Sequence, residues 1–103
     1  MLKLRNKEIH ISKGDDAAIE VSLMLDGEPY TLQSGDKVIF TVGTAISKEL
    51  TNNGKTFVTL TIAANDTKNM ESGFYLYDLK MKYANGTICA ILPPTTFEVM
   101  DVV

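Results

Sequence analysis

Apolar and polar residues alternate with period two along most of this 103-residue chain, the pattern of strands that bury one face and wet the other. Its longest instance runs from Glu71 to Tyr83. Tyr75, Tyr77, Leu79, Met81 and Tyr83 share one side, and Asp78, Lys80 and Lys82 the other. Upstream, Glu8 to Ser12 alternates Ile9 and Ile11 about His10. Ala17 to Asp26 gathers Ala17, Ile19, Val21, Leu23 and Leu25 opposite Glu20, Ser22 and Asp26. Asp36 to Thr44 directs Val38, Phe40 and Val42 inward, with Ile39 as the apolar exception on the outer face. Thr56 to Ala64 sets Val58, Leu60 and Ile62 against Thr59 and Thr61, and β-branched residues on both faces favour a strand.

Turn chemistry separates these runs. Asp26-Gly27-Glu28-Pro29, Gln33-Ser34-Gly35-Asp36 and Asn52-Asn53-Gly54 are turns by composition. Asn85-Gly86 is the preferred dipeptide of a two-residue type I′ hairpin, which predicts pairing of Tyr75–Tyr83 with Thr87–Leu92. Pro93 and Pro94 have no N–H to donate, so they interrupt the ladder. A last strand, Thr96 to Val102, follows, and its sparse charge suits an edge open to strand addition. Tyr30 to Leu32 is at most a strand fragment, and Ala45 to Asn53 fits either a strand or a helical turn. Asn65 to Met70 suits one helical turn with Asn65 or Asp66 as N-cap.

Seven or eight short strands with turns every 8 to 12 residues predict an all-β chain: a single immunoglobulin-like antiparallel β-sandwich spanning residues 1–103. The start of the long strand strengthens that choice. An acidic residue, then Gly73, then Tyr75 is the pattern of a tyrosine corner, whose phenol bonds back to nearby backbone. Tyr77 stands where an antibody domain has its second cysteine, and no cysteine lies between Ala17 and Asp26 to supply the first.

Composition narrows the function classes. Apolar residues make up 45% and charged residues 22%, which is ordinary for a globular domain. A chain of this length buries roughly 65% of its unfolded surface, enough for one core. Net charge is −3 with 10 scattered basic residues, so no basic stripe recommends nucleic acid. No apolar run approaches the roughly 18 residues of a membrane span, and the N-terminus has no signal-peptide core. Membrane association and export by a cleaved signal are therefore not expected. The lone Cys89 excludes an intrachain disulfide and fits a reducing compartment. Asn65-Asp66-Thr67 and Asn85-Gly86-Thr87 match the glycosylation sequon, which matters only on secretion.

No residue cluster points to catalysis. His10 is the only histidine and has no local partners for a triad or metal site; it reads as an exposed strand residue. Cys89 lacks a base or cation to lower its pKa and reads as a small core filler. Asp15, Asp16, Asp66, Glu71 and Asp78 match no calcium loop. The glycines stand singly, without a phosphate-cradling pattern. No catalytic, cofactor or metal residue is expected. A surface is the better candidate. If the strands holding Val38, Tyr75 and Ile88 are neighbours, Ile39, Phe74 and Leu76, joined by Cys89 and Ile91, form an apolar patch opposite the tyrosines. Met100 and Val102 continue it along the terminal strand. Scattered exposure, or cover by Ala45–Asn53, is the alternative.

The order Gly27-x-Pro29-x-x-Leu32-x-x-Gly35-Asp36-x-Val38-x-Phe40, then Leu60-x-Ile62-x-x-x-Asp66-Thr67, then Gly73-x-Tyr75-x-Tyr77-Asp78-Leu79 is followed by a hairpin and a Pro-containing return strand. From about Lys13 to Val99 this order resembles the N-terminal domain of phage baseplate upper proteins and related short prophage tail proteins of Gram-positive bacteria. The resemblance implies a non-catalytic module that helps mount receptor-binding components on a virion tail. Its partners would be other tail or baseplate proteins or further copies of the chain. The chain ends at Val103 without the linker, coiled coil or receptor-binding region of that family, so it reads as a free-standing accessory or a piece of something longer. A second reading is a carbohydrate-binding sandwich for cell-surface glycans. It requires at least two of Tyr30, Phe57, Phe74 and Tyr83 to be exposed and coplanar.

Overall fold

In a computed structural model, which describes residues 2–3 and 8–101, the alternating runs become strands of a β-sandwich. β1 (Leu2–Lys3), β4 (Met24–Leu25) and β5 (Glu28–Pro29) form one small sheet. β3 (Ala17–Ser22) pairs with β8 (Phe57–Ile62). The larger sheet has five strands in the order β2 (Ile9–Ser12), β10 (Ile88–Met100), β9 (Gly73–Lys82), β6 (Lys37–Val42) and β7 (Ile46–Leu50). This five-stranded sheet faces β3 and β8 across one core, the immunoglobulin-like arrangement. One pairing departs from the antiparallel expectation: β2 runs parallel to β10.

The inward residues are those the alternation selects. Val21, Leu23, Val58, Leu60 and Ile62 from one side meet Val38, Phe40, Val42, Leu79, Met81, Phe97 and Val99 from the other in a single buried cluster. Three rings from the five-stranded sheet pack together in this core. Phe40 lies 5.4 Å from Tyr77 and 6.2 Å from Phe97, and Tyr77 and Phe97 meet edge to face at 6.4 Å. Aromatic pairs at such distances add about 1 kcal/mol each beyond the area they bury.

The tyrosine corner forms. The Tyr75 hydroxyl donates to the Glu71 carbonyl at 2.6 Å, tying the start of β9 to the loop after the single helical turn α1 (Ala64–Thr67). That turn is capped differently from expectation, because its N-cap falls before both Asn65 and Asp66. Ala63 is the N-cap, and the Asp66 carboxylate accepts from the Ala63 amide at 2.7 Å. Asp16, far upstream in sequence, accepts from the Ala64 amide at 2.7 Å.

A second polar tie sits at the opposite end of the sandwich. Asp36 is buried and accepts from the Tyr30 hydroxyl at 2.5 Å, the Gln33 amide at 2.9 Å and the Ala84 amide at 3.1 Å. It therefore joins the turn before β6 to the loop after β9. Gly35 beside it has φ +90°, and a Cβ there would stand 2.9 Å from the Ala84 Cβ, so both the backbone conformation and the space require glycine. Tyr30 to Leu32 forms no strand but bonds through its backbone to Leu23 and Lys55.

The chain after β9 departs from expectation in three respects. The Asn85-Gly86 loop is not a type I′ turn, which needs positive φ at both central residues. Only Gly86 has it (φ 91°), and Lys82 pairs with Ile88 around a three-residue loop of Ala84 to Gly86. The type I′ geometry occurs instead at Asp26-Gly27 (φ 52° and 82°), between β4 and β5. Pro93 and Pro94 do not split β10. They sit at a register shift between Leu92 and Thr95, and the described pairing with β2 begins only at Phe97, so no ladder bond is lost there. Flanked by β2 and β9, the terminal strand is an interior strand of its sheet and not an edge.

Two substitutions test these ties. Tyr75→Phe is expected to cost about 1 kcal/mol in urea unfolding through loss of the corner hydrogen bond, and a neutral result would remove the corner. Asp36→Ala leaves three donors without their acceptor and is expected to cost about 3 kcal/mol at neutral pH. Burial alone would raise the Asp36 pKa, but the hydrogen bonds from Tyr30, Gln33 and Ala84 outweigh it and hold the value below the ordinary 3.8. That stabilisation is complete above the unfolded pKa and disappears as pH falls through the folded one, so the penalty of Asp36→Ala should shrink in acid.

Candidate functional site

The outer face of the five-stranded sheet is set by register. Along β9, Phe74, Leu76, Asp78, Lys80 and Lys82 point away from the core because Tyr75, Tyr77, Leu79 and Met81 point into it. Phe74 is 74% exposed and Leu76 60%, two neighbouring apolar side chains on a strand paired to β10 over its whole length. Around them at the Gly73 end lie Glu98, opposite Phe74, and His10, opposite Glu98. At the other end Lys37, Lys82 and Ile88 share one row, and Ile39, Lys80 and Ala90 the next.

The expected patch is thus only partly assembled. Phe74 and Leu76 are joined, and Met100, 36% exposed, lies beyond Glu98 on β10. Ile39 is half-buried and separated from Leu76 by Asp78, whose carboxylate accepts from the Thr41 hydroxyl at 2.6 Å. Ile91 is buried in the core at 4% exposure, and Cys89 faces inward beside Tyr83, 3.8 Å from its hydroxyl. Val102 lies outside the described residues. Ile91 and Cys89 turn inward because of the hairpin: a loop one residue longer than two flips the following side chains to the other face. The same shift turns Ile88 outward, 55% exposed, a surface residue that the two-residue hairpin hides. Gly86 following an ordinary turn is the signal that could have revealed it.

The polar residues with chemical potential are engaged elsewhere. His10 Nδ1 lies 2.7 Å from Glu98 and Nε2 3.1 Å from Glu8. Hydrogen bonding to Glu98, then to Glu8, raises its pKa above 6.5. Asp66 pairs with Lys48 at 2.7 Å, and Lys48 also donates to the Thr61 carbonyl at 2.7 Å. Among the described residues no three His, Cys, Asp or Glu side chains are grouped to hold a metal. A cleft of about 420 Å³ opens at the seam between β2 and β3. Its lining is mainly apolar, with Ile11, Val21, Leu60 and Leu79 among it, and includes His10 and Glu20. The aromatic platform of the glycan-binding reading does not form from its four rings. Tyr30 and Tyr83 are half-buried and meet at 86°, Phe57 is half-buried, and Phe74 alone is exposed.

These features define an all-β sandwich with an exposed apolar pair, Phe74 and Leu76, on a mixed outer sheet face and no metal-binding cluster among the described residues. No protein-family model matches the chain, and no curated protein is significantly similar to it.

The His10 contacts are directly measurable. Its NMR titration should have a midpoint above 6.5, and Glu98→Gln should move that midpoint back toward 6.5. An unshifted histidine in the wild type would mean that the Glu8, His10 and Glu98 row is not formed.

Proposed function

We propose that this domain is a non-catalytic, protein-binding component of a phage or prophage tail baseplate, and that it helps to mount receptor-binding components. The observation that carries the binding role is the adjacent exposure of Phe74 and Leu76 on the strand at the centre of the sandwich. Large apolar side chains displayed side by side on a fixed sheet favour burial against a partner. Support for the baseplate setting is the order and spacing of turns and core positions from Lys13 to Val99, together with a sandwich of the immunoglobulin-like kind that this family implies.

The test is co-sedimentation of the purified domain with baseplate particles of the phage or prophage that encodes it. Wild type should sediment with the particles. Phe74→Ser with Leu76→Ser should remain in the supernatant while unfolding within about 0.5 kcal/mol of wild type, as exposed positions do. Failure of the wild type to bind would overturn the baseplate reading. Unfolding of the double variant would show that the two residues belong to a core.

A further inference from the structure

The same outer face is divided by charge as well as by polarity. Its Gly73 end carries Glu8 and Glu98 beside Phe74 and Leu76, whereas its Lys82 end carries Lys37, Lys80 and Lys82 beside Ile39 and Ile88. His10 and Glu49 temper the two ends, since His10 bonds Glu98 and Glu8, and Glu49 lies 3.5 Å from Lys37. An acidic and apolar half next to a basic and apolar half is complementary to itself when turned end over end.

We infer that the occupant of this face is a second copy of the chain, packed outer face to outer face about a two-fold axis that crosses the strands near Asp78. The inference rests on the face being a protein-binding surface, as proposed above. Such an axis is the isologous arrangement in which each patch meets its counterpart twice. Phe74 and Leu76 of one copy then lie over the aliphatic stems of Lys80 and Lys82 of the other, which cover apolar surface while their ammonium groups reach outward. Glu98 lies near the second copy's Lys82 and Ile88. Asp78, near the axis, has the second copy's Lys80 one step along the strand. Parallel stacking would instead set both Lys80 and Lys82 against their own counterparts; end over end, the like-charge contact is confined to Asp78 meeting its counterpart at the axis, where each carboxylate also accepts from its own Thr41 hydroxyl.

The size is sufficient but not generous. Strand spacing and length give a footprint of about 600 Å² per copy, just above the roughly 1,000 Å² in total that a specific interface needs. Association is therefore expected to be concentration-dependent, and to weaken with added salt because charge sets its orientation.

Charge reversal tests the arrangement. Molar mass by sedimentation equilibrium should rise from monomer to dimer with concentration. Glu98→Lys and Lys82→Glu should each weaken the dimer about tenfold or more, and the two reversals combined in one chain should restore it. Glu8→Lys replaces Glu98→Lys if the latter fails to fold. A monomer at every concentration would overturn the second copy as occupant, while baseplate binding by Phe74 and Leu76 would still stand or fall on its own co-sedimentation result. A dimer that ignores both reversals, or that the double reversal does not rescue, would overturn the end-over-end orientation.

Discussion

A strand hydrogen-bonded on both edges cannot rotate its side chains without breaking two ladders, and β9 is such a strand over its second half, Tyr77 to Lys82. It pairs with β10 from Gly73 to Lys82 and with β6 from Tyr77 to Lys82. Its period-two alternation is therefore fixed. Tyr77, Leu79 and Met81 must enter the core, and Phe74 and Leu76 must then face out. The buried half stabilises the sandwich at about 1.5–3 kcal/mol per large apolar side chain. The exposed half contributes no such burial in the isolated chain, and that asymmetry is what makes the outer face a candidate for binding.

Polar ties hold the two ends of this framework. The Tyr75 hydroxyl on the Glu71 carbonyl fixes the entry to β9, and Asp36 joins the turn before β6 to the loop that leaves β9. Between them, the Phe40, Tyr77 and Phe97 rings, all from the five-stranded sheet, pack against one another in the shared core. The two sheets meet through this apolar cluster and, with one cysteine in the sequence, through no intrachain disulfide, so their contact does not depend on an oxidising environment.

Much of this was legible in the residues. The alternation in β3, β6, β8 and β9 identified the core faces, and Glu71, Gly73 and Tyr75 identified the corner. What the residues concealed were single-residue matters of register. Asn85-Gly86 reads as a two-residue turn, but its loop takes three, and that one residue moved Cys89 and Ile91 inward and Ile88 outward. Pro93 and Pro94 read as a strand break, because a sequence does not reveal that β2 joins β10 only from Phe97 onward. The parallel pairing of β2 was likewise hidden, since alternation fixes a face but not a neighbour. The segregation of charge on the outer face depends on the same register and became visible only once Lys37, Lys82 and Ile88 were aligned in one row.

The account stands on β9 being a fixed central strand that presents Phe74 and Leu76 from a stable sheet. Native-state amide hydrogen exchange tests this most directly. Ladder amides of β9 from Tyr77 to Lys82, bonded on both edges, should exchange only through global unfolding, and those beside Phe74 and Leu76, paired with β10 alone, should still exchange more slowly than the outer strands β2 and β7. Exchange in β9 as fast as in β2 or β7 would contradict the account, because the apolar pair would then lie on a segment that opens locally and has no fixed face to offer.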